Sequence, residues 1–470
     1  MTDQRIIAAG FIVYMLGVVA IGIAAYRRTH DSASFILGDR SLSYWVTALS
    51  AGASDMSGWL LLGLPGLAYV SLNESAWLAL GLLVGTYLNW LLIARPLREQ
   101  SMRFGNALTI PEFFERRFND DTHILKWLSA ICILVFFVFY TAAGLVASGK
   151  LFAASFGLPY TMGVVLGAGL VALYTSFGGF LAVAWTDTLQ AILILFALLI
   201  VAGMALWHGP GSQLNADTLS RLVLERTATP LSTTVVVSAV AWGLGYVGQP
   251  HILARFMAIR DSAEMGAARR LGTAWTGIAL VAALAVGFSG HFVLDLELIS
   301  RDSETVFIHL IRMVLHPAVA GICLAAILAA IMSTADSQLL VAAAALTHDL
   351  MPVAGSNGRR HPLRWHRGAV VLICALATTI ALNPAAMVLD TVAYAWAGFG
   401  ATIGPCVVMS LYSPNTDRWS ALVGLIVGAL TVVVWERLAG GIFDIYALLP
   451  GFIGGITAIA LVNQLRGSRG

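Results

Sequence analysis

The stretch "SAGASDMSGWLLLGLPG", residues 50–66, lies between two long apolar runs, yet it carries four glycines, three serines, a proline and an aspartate. The reading of this stretch decides the fold. The chain around it has 470 residues, 59% hydrophobic and 11% charged, against roughly 25% charged in an ordinary soluble domain. A soluble fold cannot bury so much apolar surface, so the polar stretch has to be explained at membrane depth.

Runs of eighteen or more nearly uncharged residues recur along the whole chain, each long enough to cross a hydrocarbon core about 30 Å thick as a helix. Thirteen spans are expected, near residues 6–26, 43–70, 76–97, 124–155, 158–178, 185–207, 231–256, 270–294, 318–350, 366–382, 388–411, 417–437 and 442–464. The first has no small-residue cleavage site and is read as a retained helix.

Basic residues orient the spans. With the N-terminus outside, inward loops hold nineteen of the 27: Arg27, Arg28, Arg40, Arg95, Arg98, Arg103, Arg116, Arg117, Arg255, Arg260, Arg269, Arg270, Arg359, Arg360, Arg364, Arg367, Arg418, Arg466 and Arg469. Lys126 lies at an inner helix end, and Arg5, Lys150, Arg221, Arg226, Arg301, Arg312 and Arg437 remain outside. The expected localisation is the cytoplasmic (inner) membrane, with the C-terminus inside. A net charge of +2 reflects this topology and does not suggest nucleic-acid binding. Cys132, Cys323, Cys374 and Cys406 stand singly within apolar spans and are expected as buried free thiols.

Glycine and proline interrupt two spans near their middles, the second at the opening stretch and the seventh at "AVAWGLGYVGQPH", residues 239–251. Interruptions five spans apart point to an inverted-repeat transporter. The expected organisation is a peripheral helix and inner loop (1–41), a first repeat (42–207), an outer loop (208–230), a second repeat (231–411) and two peripheral helices (412–470). No low-complexity linker divides the chain, and no loop could hold a catalytic domain.

Backbone that leaves helical geometry inside a bilayer exposes N–H and C=O groups, each costing several kcal/mol unless protein, water or an ion satisfies it. An alkali cation needs such oxygens. Gly52 and Gly58 are expected to permit the unwinding, Ala53 and Met56 to turn carbonyls inward, and Ser54, Asp55 and Ser57 to add side-chain oxygen. The competing structural reading makes Asp55 the cap of a half-helix and bonds the serines to their own backbone. The costs of burying an ionisable group favour function for Asp55.

A second oxygen cluster occurs in "AAIMSTADSQLL", residues 329–340, where Ser333 and Thr334 adjoin and Asp336 and Ser337 follow within a turn. Trp59, Tyr140, Trp242 and Tyr246 offer an aromatic wall, although Trp and Tyr also serve as interfacial anchors. Asp187, in "GGFLAVAWTDTLQ", either caps an inner helix end or relays an ion.

These stretches resemble the sodium/solute symporter family, and its sodium/proline branch most closely. "GDRSLSYWVTALSAGASDMSGWLLLGLPG" is similar to that branch's second-helix signature, "TSFGGFLAVAWTDTLQ" to the family's general signature, and "WGLGYVGQPHILARFMAIR" and "IMSTADSQLLV" to two further motifs in the family's order. The resemblance implies an all-α membrane protein of about thirteen transmembrane helices around a LeuT-like 5+5 inverted-repeat core. It implies a Na+ site from the backbone oxygens of Ala53, Met56 and Ala330 and the hydroxyls of Ser333 and Thr334. It further implies coupling roles for Asp55, Ser57 and Gly58 and a proline pocket involving Tyr140, Trp242, Tyr246, Gln249 and Pro250. One departure stands out: Asp336 is a carboxylate where the branch has uncharged residues, which implicates it, with Asp187, in a second cation or a proton.

The expected activity is therefore sodium-coupled import of L-proline, with no obligate protein partner and no enzymatic chemistry. Another small solute is the nearest alternative. A membrane sensor is disfavoured because the chain stops just after its last span, and a channel would need a continuous polar pore.

Overall fold

The computed structural model describes residues 3–26, 31–208, 220–221, 223–224, 230–294, 302–351 and 363–467. Arg27, Arg28, Arg226, Arg301, Arg359, Arg360 and Arg469, and most of the outer loop 208–230, lie outside the described residues. The described chain is helical, with one isolated bridge between Leu42 and Ile259. Among the described residues, ten helices are long and apolar enough to cross a membrane. The second, fifth and seventh expected spans coincide instead with the shorter apolar helices Trp59–Val70, Tyr160–Ser176 and Thr233–Gly248.

Two of these three are the broken spans. The second runs as an α-helix over Tyr44–Asp55, leaves helical geometry at Met56 (φ −82°, ψ 76°), and resumes through a π-helical turn at Trp59–Gly63. The seventh is α-helical over Thr233–Ala241 and 3₁₀ over Trp242–Gly248. It is then extended at Gln249 and α-helical again over Pro250–Ala258. Pro250 has no N–H to donate and so starts the second half without loss. By contrast the ninth span, Pro317–Ala344, is unbroken until a π-helical turn at Ala345–Leu350.

Three expectations need correction. Gly52 is helical and Gly58 lies in the ordinary right-handed region (φ −51°, ψ −24°), so neither supplies a special backbone angle. They supply room: a Cβ at Gly52 would sit 2.7 Å from the Trp275 ring, and one at Gly58 2.7 Å from the Ala147 methyl. The fifth and sixth spans form one helical run, Tyr160–His208, broken only at Gly179 (φ 66°, ψ −178°), a conformation that glycine alone adopts cheaply. Cys132 is half-buried, whereas Cys323, Cys374 and Cys406 are buried free thiols as expected.

The bundle is tied at both ends. At one end Arg40 donates to the carbonyls of Met257 and Ala107 (2.5 and 2.6 Å), to Asn106 and to Ser101. There the chain entering the second span also pairs with the chain leaving the seventh, Leu42 N–H to Ala258 O and Arg260 N–H to Leu42 O. At the other end the Lys150 ammonium lies 2.8 Å from both Glu304 and Asp302. Glu304 also accepts the first N–H groups of helix Val388–Tyr412, a helix start that favours a carboxylate.

Candidate functional site

Both breaks bring their polar groups to the centre of the bundle, and the ninth span lies against the first break. The Ser333 hydroxyl donates to the Ala53 carbonyl at 2.8 Å, Thr334 reaches the same oxygen at 3.5 Å, and Ser333 also contacts the Ala330 carbonyl at 3.1 Å. Ala53, Met56, Ala330 and Ser333 are fully buried and Thr334 nearly so. Four of the five residues of the expected Na+ set thus have oxygens in mutual contact, and Met56 places its peptide at the turn of the broken helix. Carbonyl and hydroxyl oxygens are suited to an alkali cation.

Asp55, next in the chain, does not cap a half-helix. Its Oδ2 accepts the Tyr246 hydroxyl at 2.7 Å, and its Oδ1 has no hydrogen-bond partner. The Trp59 indole donates to the Asp55 carbonyl at 3.1 Å, and the Ser57 hydroxyl accepts the Trp59 N–H. These contacts hold the non-helical turn in shape with hydrogen bonds that the interrupted helix has lost.

The aromatic wall is assembled, with one member that the sequence did not reveal. Trp396 stands edge-on to Tyr246 with centroids 5.0 Å apart and edge-on to Tyr140 at 6.4 Å. It stacks on Trp242, whose carbonyl accepts its indole N–H at 2.8 Å. Gln249 is buried and donates to the Gly245 carbonyl. Pro250 lines a separate small cavity with Leu108, Ile110 and Asp349, so the structure does not bring it to the wall. Trp396 lies in "AYAWAGFG", residues 393–400, where Tyr394 and Phe399 are also aromatic, so nothing in the sequence sets it apart from its neighbours.

Asp187 and Asp336 belong to a second buried group. Asp187 lies inside helix Tyr160–His208 rather than at its end, so it is not a cap. Its Oδ2 accepts Ser50 at 2.6 Å and lies 3.1 Å from the guanidinium of Arg255, which also donates to Ser337. Neither oxygen of Asp336 has a hydrogen-bond partner. Arg255, assigned from sequence to an inward loop, lies within helix Pro250–Ala258 and is completely buried. Within "PHILARFMA" its apolar surroundings were the available signal.

A profile of the sodium:solute symporter family matches residues 35–428. The chain is 43% identical over 464 residues to a sodium/proline symporter of Salmonella typhimurium (strain LT2), covering 97% of this chain and 92% of that one. It is 43% identical over 465 residues to a sodium/proline symporter of Escherichia coli (strain K12), with the same coverage. A high-affinity proline transporter of Bacillus subtilis (strain 168) is 41% identical over 460 residues, 95% and 96% of the two chains. The fold is similar to that of a Na+-coupled sialic acid symporter in a substrate-bound outward-open state, with TM-score 0.79, 16% identity and 98% of each chain covered. A nucleobase-cation-symport-1 family transporter superimposes with TM-score 0.59 at 12% identity, over 91% of this chain and 92% of that one. The architecture is the LeuT-like helical fold, and the apolar spans make this an integral membrane protein. The chain belongs to the sodium:solute symporter family.

Proposed function

We propose that this chain imports L-proline across the cytoplasmic membrane by sodium-coupled symport. The observation that carries the reading is the bond from Ser333 to the Ala53 carbonyl, which joins the ninth span to the broken second one where oxygens for a cation are needed. The names of relatives at 40–43% identity supply the solute. Sodium is held by Ala53, Met56, Ala330, Ser333 and Thr334. Asp55, Ser57 and Gly58 transmit its binding to the solute, whose ring rests against Tyr140, Trp242, Tyr246 and Trp396. A half-helix N-terminus at the break receives the carboxylate.

Bound sodium orders the break, so binding of either ligand favours the other by the same factor. The Lys150 cluster closes the outer side and the Arg40 cluster the inner side, and alternating access loosens one while the other holds. One charge crossing 100 mV yields about 2.3 kcal/mol, and a tenfold sodium gradient adds about 1.4 kcal/mol. Together they sustain roughly 500-fold accumulation of a zwitterion with one sodium.

The test is uptake of labelled solutes into proteoliposomes with and without a sodium gradient. Proline uptake is expected to depend on sodium, and Ser333→Ala to lower it at least tenfold. Proline uptake indifferent to sodium defeats the coupling. Uptake of a sugar or carboxylate in place of proline defeats the solute assignment alone.

A further inference from the structure

The third and seventh spans cross at glycine. A Cβ at Gly85 would sit 2.3 Å from the Gly243 carbonyl oxygen, and one at Gly243 would sit 2.2 Å from that of Gly81, so the two backbones touch with no side chain between them. Beside this crossing the membrane-facing surface is hollow. A groove of about 710 Å³ runs along it, walled by Trp77, Val84, Leu88, Val240, Leu244 and Tyr412 among others, within the roughly 300–1,000 Å³ of ligand sites. Between Trp77 and Leu92, its outermost residues on the third span, the helical rise gives a length of about 22 Å. Trp77, Val84, Leu88, Val240 and Tyr412 are all exposed.

An apolar hollow of this size left empty forfeits dispersion contacts along both walls. At membrane depth an acyl chain is what fills it, and the length suits one extended chain. The mouth of the groove decides the head group. Helix Val388–Tyr412 ends there, where the Tyr412 hydroxyl donates to the Leu92 carbonyl at 2.5 Å and Gln100 donates to the Leu411 carbonyl at 3.1 Å. Arg117 lies beside them and donates to the carbonyls of Ser410 and Ser413 at 2.8 and 3.0 Å. Arg103, the exposed last residue of helix Arg95–Arg103, is close by: its guanidinium and that of Arg117 lie 6.0 and 5.4 Å from the Phe104 ring. Burial, and then the charge of Arg103, hold the Arg117 guanidinium below its usual range. Among the described residues neither arginine forms an ion pair, whereas neighbouring Arg95 pairs with Glu99. Arg117 has a structural explanation, as a cap on the last carbonyls of helix Val388–Tyr412. Arg103 has none, and a second positive charge held beside the first calls for an anion. Guanidinium groups pair well with phosphate, and basic residues at the inner membrane surface draw anionic lipid.

We infer that this groove is a site for one anionic phospholipid of the cytoplasmic leaflet, its acyl chain lying along Val84, Val240 and Leu244 and its phosphate at Arg103 and Arg117. The site does not depend on which solute is carried. Leu244 and Val247, three apart on the 3₁₀ stretch Trp242–Gly248, share one side of it and line the groove. Trp242 and Tyr246 of the same stretch meet Trp396 on the solute side. The lipid chain therefore backs the interrupted seventh span where it carries the solute wall.

The test is photolabelling of the full-length chain in phosphatidylcholine nanodiscs doped with one of two probes. These are phosphatidylglycerol and phosphatidylcholine, each with a diazirine at the middle of one acyl chain. In wild type, the phosphatidylglycerol probe is expected to label residues 80–92 and 236–247 about fivefold more than the phosphatidylcholine probe, with other lipid-facing helices labelled equally by both. Arg103→Gln is expected to cut that preference about threefold, and Arg103→Lys, which keeps the charge, to retain most of it. Val240→Trp fills the groove and is expected to lower labelling there by both probes. Equal labelling by the two probes in wild type overturns the proposal, as does an unchanged preference in Arg103→Gln. Labelling spread evenly over the bundle overturns it as well, and all three results leave the transport reading standing.

Discussion

The Tyr246 hydroxyl donates to Asp55 Oδ2 across 2.7 Å, joining residues 191 apart in sequence. Each belongs to one of the two interrupted spans, so this bond is a direct side-chain link between them. Tyr246→Phe removes the donor and leaves a buried carboxylate oxygen bare, a loss of about 1–3 kcal/mol. Half-saturating sodium and proline concentrations in proteoliposome uptake are expected to rise together, by roughly tenfold or more. A change confined to proline would mean that Tyr246 acts only as part of the wall. Asp55→Asn keeps an acceptor for Tyr246 but lacks the charge, and is expected to fold normally and to lose sodium-driven uptake.

The buried pair of Arg255 and Asp187 is predicted to be structural as well as functional. Arg255→Met strands the Asp187 and Asp336 carboxylates in the core, at a cost of about 3–5 kcal/mol. Thermal unfolding in detergent is expected to show a large fall in Tm for Arg255→Met. Much of that fall is expected to be recovered in Arg255→Met/Asp187→Asn, where the stranded charge is removed. Equal Tm values for the single variant and wild type would refute the assignment.

Asp336 has no partner for either oxygen and shares its interior with Asp187 and Arg255. Asp336→Asn has nearly the same volume and removes the formal charge. Uptake is expected to survive while the charge moved per proline, read as current against labelled flux, changes from the wild-type ratio. An unchanged ratio would remove Asp336 from the coupling set.

Lys150, Asp302 and Glu304 close one end of the bundle. Lys150→Met leaves Glu304 held only by the N–H groups of Val388 and Leu389. Local opening there is expected to become at least tenfold more frequent, equivalent to about 1.4 kcal/mol. Hydrogen exchange measures it as loss of protection over 302–314 and at 388–389, with the Arg40 end unaffected. Uniform loss of protection would indicate global destabilisation instead of a released latch.

Glu112, in the short helix Ile110–Arg117 outside the spans, gives a pH prediction. Burial alone would raise its carboxyl, but His348 at 3.2 Å, the Leu108 N–H and the Arg116 guanidinium bring it down to about 2. A depressed carboxylate contributes stability that is present above its unfolded value of 4.5 and is lost as the pH falls through about 2. The contribution is on the order of 3 kcal/mol. Between pH 5 and 2.5 wild type is expected to lose stability more steeply than Glu112→Gln, read as Tm in detergent; parallel curves would contradict it.

The sequence alone determined the membrane class, the approximate place of each span, the two breaks and the residues grouped around them. Those properties are local: apolar length sets a span, Gly and Pro interrupt it, and the stretches 50–66 and 239–251 announce themselves by polarity out of place. Local pattern reached the hydroxyls of Ser333 and Thr334 but not their bond to Ala53, which depends on how the ninth span lies against the second. It misread Gly52 and Gly58 as backbone hinges, because the rings and methyls that demand their small size come from distant helices. Trp396 drew no notice and Arg255 was placed in an inward loop for the same reason. An aromatic ring or a helix-end arginine is ordinary in sequence, and only tertiary packing decided that Trp396 stands against Tyr246 and Arg255 against Asp187.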